Sequence, residues 1–229
     1  MKKTILTFAA LLLIAAPAMA DMMVTVTRTV GTWSGSGGEF TVTPSGDIPI
    51  PGVPDGVPFQ TFCVETNEYI NIGGSYHVDV NTAAVLGDGG KISNGNPLTG
   101  GWGDPLDAKT AYLYTQFRAG TLAGYDYTPG PGGTRPASAA ALQNAIWVIE
   151  EESQVVLQDG LATTFKDAAD EAVDSGAWSG IGNVRILNLY TTTTRTEKQD
   201  QLVLIPAPAA LLLGVVGLAL VGWARKRIR

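Results

Sequence analysis

Cys63 and His77 are the chain's only cysteine and its only histidine. A lone cysteine excludes a disulfide framework within the chain. The two together exclude a zinc site built from several thiolates and imidazoles. A Ser-His-Asp triad would have to recruit His77 itself. Charge is sparse too, at 16% of residues, and neither a phosphate loop nor a dinucleotide fingerprint occurs. What the chain does have is apolar residues, 45% of 229. That is enough for a core, and it excludes wholesale disorder. The 28 glycines and 13 prolines make it rich in loops.

The two ends read as addresses rather than fold. Residues 1–20 carry Lys2 and Lys3, then an apolar run, then Ala18-Met19-Ala20. This is the pattern of a secretory signal peptide cleaved before Asp21, and the run is too short for a membrane span. At the other end, Ile205-Pro206-Ala207-Pro208 leads into the uncharged stretch 209–224 and the basic end Arg225, Lys226, Arg227 and Arg229. With its prolines in the first turn, the run approaches the ~17–25 residues a membrane helix needs. The basic cluster would stay on the cytoplasmic side.

This tripartite tail (proline motif Pro206, Ala207, Pro208, apolar helix, basic stop Arg225, Lys226, Arg227) resembles the PEP-CTERM sorting signal of Gram-negative bacteria. Ala207 stands where the usual motif has Glu. The resemblance implies an exosortase-type sorting protease as a partner and cleavage near the proline motif. The protein would be held in the inner membrane before sorting, then released to the cell surface or extracellular matrix.

The chain thus divides into 1–20, a body at 21–204 and a sorting tail at 205–229. The body holds nine basic residues against 21 acidic ones, a net charge of about −12. Nothing in it attracts nucleic acid. Alternation of Val24 and Val26 predicts a strand over 23–30. Others are expected at 39–43, 59–70, 76–80, 184–190 and 201–205, with a long Gly/Asn loop over 81–105. Asp107 can cap a helix that Gly120 closes. Ser138 can cap a second helix, reaching about Glu152, with an apolar face of Leu142, Ala145, Ile146 and Ile149. Thr164 and Asp167 suggest a capping box for a third, whose stripe is Phe165, Ala168, Ala169, Ala172 and Val173. Strands, then helices, then strands predict an α+β fold: a mostly antiparallel β-sheet or barrel with an inserted helical subdomain, followed by the C-terminal membrane helix.

Cys63 sits in Phe59-Gln60-Thr61-Phe62-Cys63-Val64-Glu65-Thr66. Alternation puts Phe59, Thr61, Cys63 and Glu65 on one face and Phe62 on the other, toward the core. Three readings of the cysteine stand: a small buried hydrophobe, a partner in an interchain bond, or a reactive group. Eighty residues on lies Ala141-Leu142-Gln143-Asn144-Ala145-Ile146-Trp147. Together the two segments resemble the thioester domains of bacterial surface adhesins. Those domains join a strand Cys in an aromatic-Cys-aliphatic motif to a helix Gln in a Gln-x-Ala-Ile-Trp-like motif. The resemblance implies an intramolecular Cys63–Gln143 thioester that captures an amine or hydroxyl on a surface or matrix partner, reacting once per molecule. It needs no cofactor and no metal. A thiolate is the competent nucleophile, an amide is a poor electrophile, and water would destroy the product. Trp147, four residues from Gln143 on one helix face, could shield it or be ordinary core. Glu65, on the face of Cys63, could handle a proton or be an exposed strand residue.

Other residues carry less. Glu150, Glu151 and Glu152 read as a solvated helix end that opposes the helix dipole. His77 reads as a surface residue. Asp79, Asp88 and Asn94–Asn96 could bind Ca²⁺, but their spacing matches no EF-hand loop. Tyr112, Tyr114 and Phe117 read as packing. No acid–base constellation for a hydrolase can be named. The alternative function class is a non-covalent structural or glycan-binding matrix protein in which Cys63 is a free thiol.

Overall fold

The computed structural model describes residues 21–33, 37–66, 68–85, 103–130, 133–152, 155–158 and 160–206. The expected signal segment, the expected membrane helix with its basic end, Ala207, Pro208, and the candidate ligands Asp88 and Asn94–Asn96 lie outside them.

The fold is α+β: a curled antiparallel half-barrel with three helices inserted in sequence between its strands. The first strands are β1 (Met23–Thr27), β2 (Phe40–Pro44), β3 (Phe59–Thr61) and β4 (Ser75–Asn81). A small ribbon follows, β5 (Ala83–Val85) with β6 (Gly103–Pro105). The helices are α1 (Ala108–Ala119), α2 (Arg135–Ile149) and α3 (Leu161–Asp174). The chain closes with β7 (Val184–Thr191) and β8 (Glu197–Leu204). Strand order is β3-β2-β1-β4-β7-β8. The curl brings the chain just after β3 against the far edge, β8. Leu202 N donates to Phe62 O at 3.0 Å, Val64 N donates to Asp200 O at 3.2 Å, and Cys63 pairs with Gln201 in an isolated bridge. The Tyr114 hydroxyl of α1 reinforces this seam, lying 3.0 Å from Gln60 O and 3.1 Å from Leu202 O.

Two apolar clusters result. One, between the helices and the outer face of the sheet, gathers Phe62, Val64, Leu113, Tyr114, Leu142, Ile146, Phe165 and Leu202. The other fills the curl with Val24, Val26, Phe40, Val42, Phe59, Tyr76, Leu187 and Leu189, and it includes Cys63. Phe62 and Cys63 therefore face opposite sides, as alternation requires. Phe62 is fully buried, edge-on to Phe117 at 5.0 Å.

Helix α1 follows its expected bounds. Asp107 Oδ1 accepts from Lys109 N at 2.7 Å, and Gly120 closes the helix at φ 72. Tyr114 and Phe117 are core, and Tyr112 packs on Trp178. Ser138 is not the cap of α2. The helix starts earlier, with Pro136 in its first turn, and Ser138 Oγ accepts from Asp126 N at 3.1 Å. The expected capping box of α3 is also absent: the helix begins at Leu161 after Gly160, which leaves Thr164 inside it. Phe165, Ala169 and Ala172 are buried as expected, while Ala168 and Val173 are half-buried. The strand expected over 59–70 stops at Thr61, and the loop expected over 81–105 contains β5 and β6. Val85 N finds its acceptor in Asp200 Oδ2 of β8 at 2.8 Å, a long-range bond that no local pattern announces.

Candidate functional site

Gln143 lies on α2, beside the apolar stripe of Leu142, Ala145, Ile146 and Ile149 that packs the helix into the core. That packing fixes the helix and carries the Gln143 side chain to the seam where the chain leaves β3. Cys63 and Gln143 are each 1% exposed, and their side chains meet. Gln143 Oε1 accepts from three donors: Gly38 N–H at 3.0 Å, Cys63 N–H at 3.3 Å and the Cys63 thiol at 3.3 Å. Its Nε2 donates to Cys63 O at 2.7 Å. The carboxamide is therefore held at both ends in one orientation. Two backbone N–H groups point at its oxygen, where negative charge would collect if a nucleophile added to the carbon.

Burial pushes the Cys63 thiol far above its ordinary range. The Trp147 indole acts in the opposite sense, and the charges of Glu65 and Glu152 add to the rise. Trp147 Nε1 is buried and has no hydrogen-bond partner. The resting sulfur is thus a protonated thiol that donates to Gln143 Oε1 at 3.3 Å. Trp147 is half-buried against the inner cluster. Glu65 is buried, contrary to the exposed reading, and Gln199 Nε2 donates to its carbonyl at 3.1 Å.

The solvated helix end expected at 150–152 is mostly buried. Only Glu151 is exposed. Glu152 Oε2 accepts from Thr66 N at 3.0 Å and Thr66 Oγ1 at 2.9 Å, tying the chain after Cys63 to the end of α2. Glu150 accepts from Asp107 N at 3.3 Å and is pushed up to about 8, chiefly by burial, with Asp104 and Asp107 adding to it. Its folded value lies above the ordinary 4.5, so the folded chain keeps a proton that the unfolded chain loses. Stability should then fall as pH rises from about 4.5 to about 8 and level off above, by up to a few kcal/mol. Urea melts should show Glu150→Gln with a higher midpoint than the parent near pH 8.5 and the same midpoint near pH 4.

Sequence reading overlooked the wall above Gln143. A Cβ on Gly37 would sit 2.5 Å from Gln143 Cγ and 3.1 Å from Trp147 Cη2. One on Gly38 would sit 2.4 Å from Phe62 Cδ1. Both positions need glycine for close approach, which is how Gly38 N–H reaches the carboxamide. Next to them Glu39, fully buried, accepts from Arg135 Nε and Nη2 at 2.9 Å each and from the Tyr125 hydroxyl. Arg135 belongs to α2 as Gln143 does, so this ion pair clamps the glycine wall onto the helix that carries the glutamine. Gly37-Gly38 before Glu39 is the only local signal in the sequence.

His77, read as a surface residue, is half-buried in β4, its Nδ1 3.2 Å from an Asp21 carboxylate oxygen. Asp79 is exposed on the same strand. Pro206 closes the described part of the chain, against Gly52. Among the described residues no group of His, Cys, Asp or Glu is placed to hold a metal ion, and no helix is long and apolar enough to cross a membrane.

No protein-family model matches the chain, and no curated protein or solved structure matches it either.

Proposed function

We propose that the chain is an exported surface or biofilm-matrix protein that forms a Cys63–Gln143 thioester and captures a partner covalently, in adhesion. The observation that supports this is the four-bond cradle of the Gln143 carboxamide at Cys63, out of reach of water. Sulfur adds to the Gln143 carbonyl carbon, and the developing oxyanion is held by the N–H groups of Gly38 and Cys63. The C–N bond then breaks, the thiol proton leaves with the nitrogen as ammonia, and an S–acyl bond remains. A partner amine or hydroxyl later attacks the same carbon. Cys63 departs and takes up the proton, and an amide or ester joins Gln143 to the partner. The chemistry runs once, so the protein is not a turnover enzyme.

The chain ends support the setting. A signal segment would export the body, and a PEP-CTERM-like tail would hold it by a membrane helix until an exosortase-type protease sorts it to the surface or matrix. A thioester domain with this tail is the family reading we favour. The body's net negative charge fits a matrix protein rather than a nucleic-acid binder.

The test is the intact mass of the purified full-length chain. The expected mass is about 17 Da below that calculated for the same unmodified chain, one ammonia. Methylamine should then add about 31 Da at Gln143, and Cys63→Ala should show neither change. An unmodified mass with a titratable thiol would leave the alternative, a non-covalent structural or glycan-binding matrix protein.

A further inference from the structure

A cleft of about 300 Å³ opens directly outside the Cys63–Gln143 pair. Gly37 and Trp147 separate it from the carboxamide, so what closes it inward is a bare backbone and an indole edge. Its other walls include Phe40, Ile70 and two side chains strongly exposed for their type, Tyr69 at 77% and Ile72 at 47%. Apolar side chains left in water around a concavity mark a place where something docks.

The polar lining is narrow. Thr66 is already committed to Glu152, and Gln199 donates to Glu65 O. Arg28 differs. Its guanidinium stacks 4.4 Å from the Trp33 ring centroid and 5.1 Å from that of Phe40. Stacking orients the guanidinium plane but uses none of its donors. Its Nε is shut off from water and has no acceptor. A ligand in the cleft therefore meets the guanidinium through its terminal nitrogens. Arg28 is also a cation on a body with more than twice as many acidic as basic residues.

We infer that this cleft is the docking site for an acidic peptide segment of the captured partner, with a carboxylate side chain seated on Arg28 and its apolar neighbours laid along Tyr69, Ile70 and Ile72. This deepens the thioester reading and rests on it for the consequence, not for the binding. A carboxylate matches the fork that the terminal nitrogens of a stacked arginine present. An acidic polysaccharide fits less well. Sugar rings need many hydrogen-bonding side chains, whereas the cleft offers the Arg28 guanidinium and the Tyr69 hydroxyl among Phe40, Ile70, Ile72 and Trp147. Docking there places the partner across the glycine wall from the Gln143 carbonyl. It would raise the local concentration of the partner's nucleophile, and capture would follow recognition.

The test uses the full-length chain and the blocked tripeptides acetyl-Ile-Glu-Leu-amide and acetyl-Ile-Gln-Leu-amide, with trigalacturonate as the polysaccharide probe. The peptides carry neither amine nor hydroxyl, and trigalacturonate is added to Cys63→Ala, which cannot form a thioester, so binding is read without capture, from the intrinsic tryptophan fluorescence. The Glu peptide should bind about tenfold tighter than the Gln peptide, the size of one charge-assisted hydrogen bond. That preference should vanish in Arg28→Gln, persist in part in Arg28→Lys and weaken as salt rises. Trigalacturonate should bind no better than the Gln peptide. Equal binding of the two peptides by the parent chain overturns the inference whatever the variants do, and so does tighter binding of trigalacturonate. The mass measurement decides the thioester separately. A missing ammonia deficit with an intact Glu preference removes the chemistry and leaves the docking site. The converse removes the docking site alone.

Discussion

The Gly37→Ala chain is expected to fold but to form the proposed Cys63–Gln143 thioester far more slowly. The added Cβ would lie 2.5 Å from Gln143 Cγ, a separation that side-chain carbons do not adopt. Gly37 is not at a left-handed φ, so alanine can take up its backbone conformation. Something must therefore move, and Gln143 is the softest neighbour because it reaches the wall through rotatable bonds. Moving it draws Oε1 away from Gly38 N–H and Cys63 N–H. Misplacing a reacting group by about 1 Å can cost on the order of 100-fold in rate. The time course of ammonia loss should slow by about that factor, read by intact mass on freshly purified protein. Overpacking should also cost about 1–3 kcal/mol of stability. Most of that cost should disappear when Gly37→Ala is combined with Gln143→Ala, because the 2.5 Å contact is removed and only Trp147 Cη2 at 3.1 Å remains. Additive costs in the double variant would show that Gly37 matters for some other reason. Gly38→Ala supplies the contrast. Its Cβ meets the fully buried Phe62 ring at 2.4 Å, so the damage should fall on stability first.

How much of this was legible in the sequence follows from the range over which each interaction acts. Helix α1 was read correctly because its signals are local: an Asp whose carboxylate reaches a backbone N–H two residues on, and a Gly that adopts φ 72. The buried stripe of α2 was equally plain, since Leu142, Ala145, Ile146 and Ile149 recur at helical spacing. Cys63 and Gln143 could be singled out as a pair only through the two motif halves around them, and the fold brings them together. What failed was long-range. Glu150 and Glu152 looked solvated because a run of three glutamates is polar by composition. Their burial depends on Asp107 and Thr66, far off in sequence. Ser138 had a good cap residue's chemistry, but Pro136 starts the helix earlier and the Ser hydroxyl serves Asp126. Val85 pairs its N–H with a buried Asp200, so a ribbon forms at the edge of what composition made a loop. The glycine wall was missed for the same reason. Gly37 and Gly38 are required by Gln143 and Phe62, whose closeness exists only in the fold.

The largest stability effect should come from Arg135→Met. The substitution keeps an unbranched apolar stem and removes the guanidinium from Glu39, whose carboxylate has no exposure. Breaking a buried pair from one side leaves an uncompensated charge and costs about 3–5 kcal/mol. For a chain of this size each kcal/mol lowers the melting temperature by about 2–4 °C, so a fall of roughly 10 °C is expected in a calorimetric scan. Tyr125 cannot replace the lost partner. Burial, followed by the Glu39 charge itself, holds its phenol protonated, so it offers one neutral hydrogen bond against two charged ones. The effect should also be directional. Glu39→Leu with Arg135→Met removes both charges and should be less damaging than Arg135→Met alone, the sign that an orphaned carboxylate carried the cost. The same clamp holds Gly38 N–H at Gln143 Oε1 through one peptide unit. Stability and chemistry should therefore separate in the double variant, where folding recovers while ammonia loss stays slow, because an apolar pair packs the wall but no longer fixes its register against α2. If the double variant regains the full rate, packing alone positions the donor and the ion pair serves only the fold.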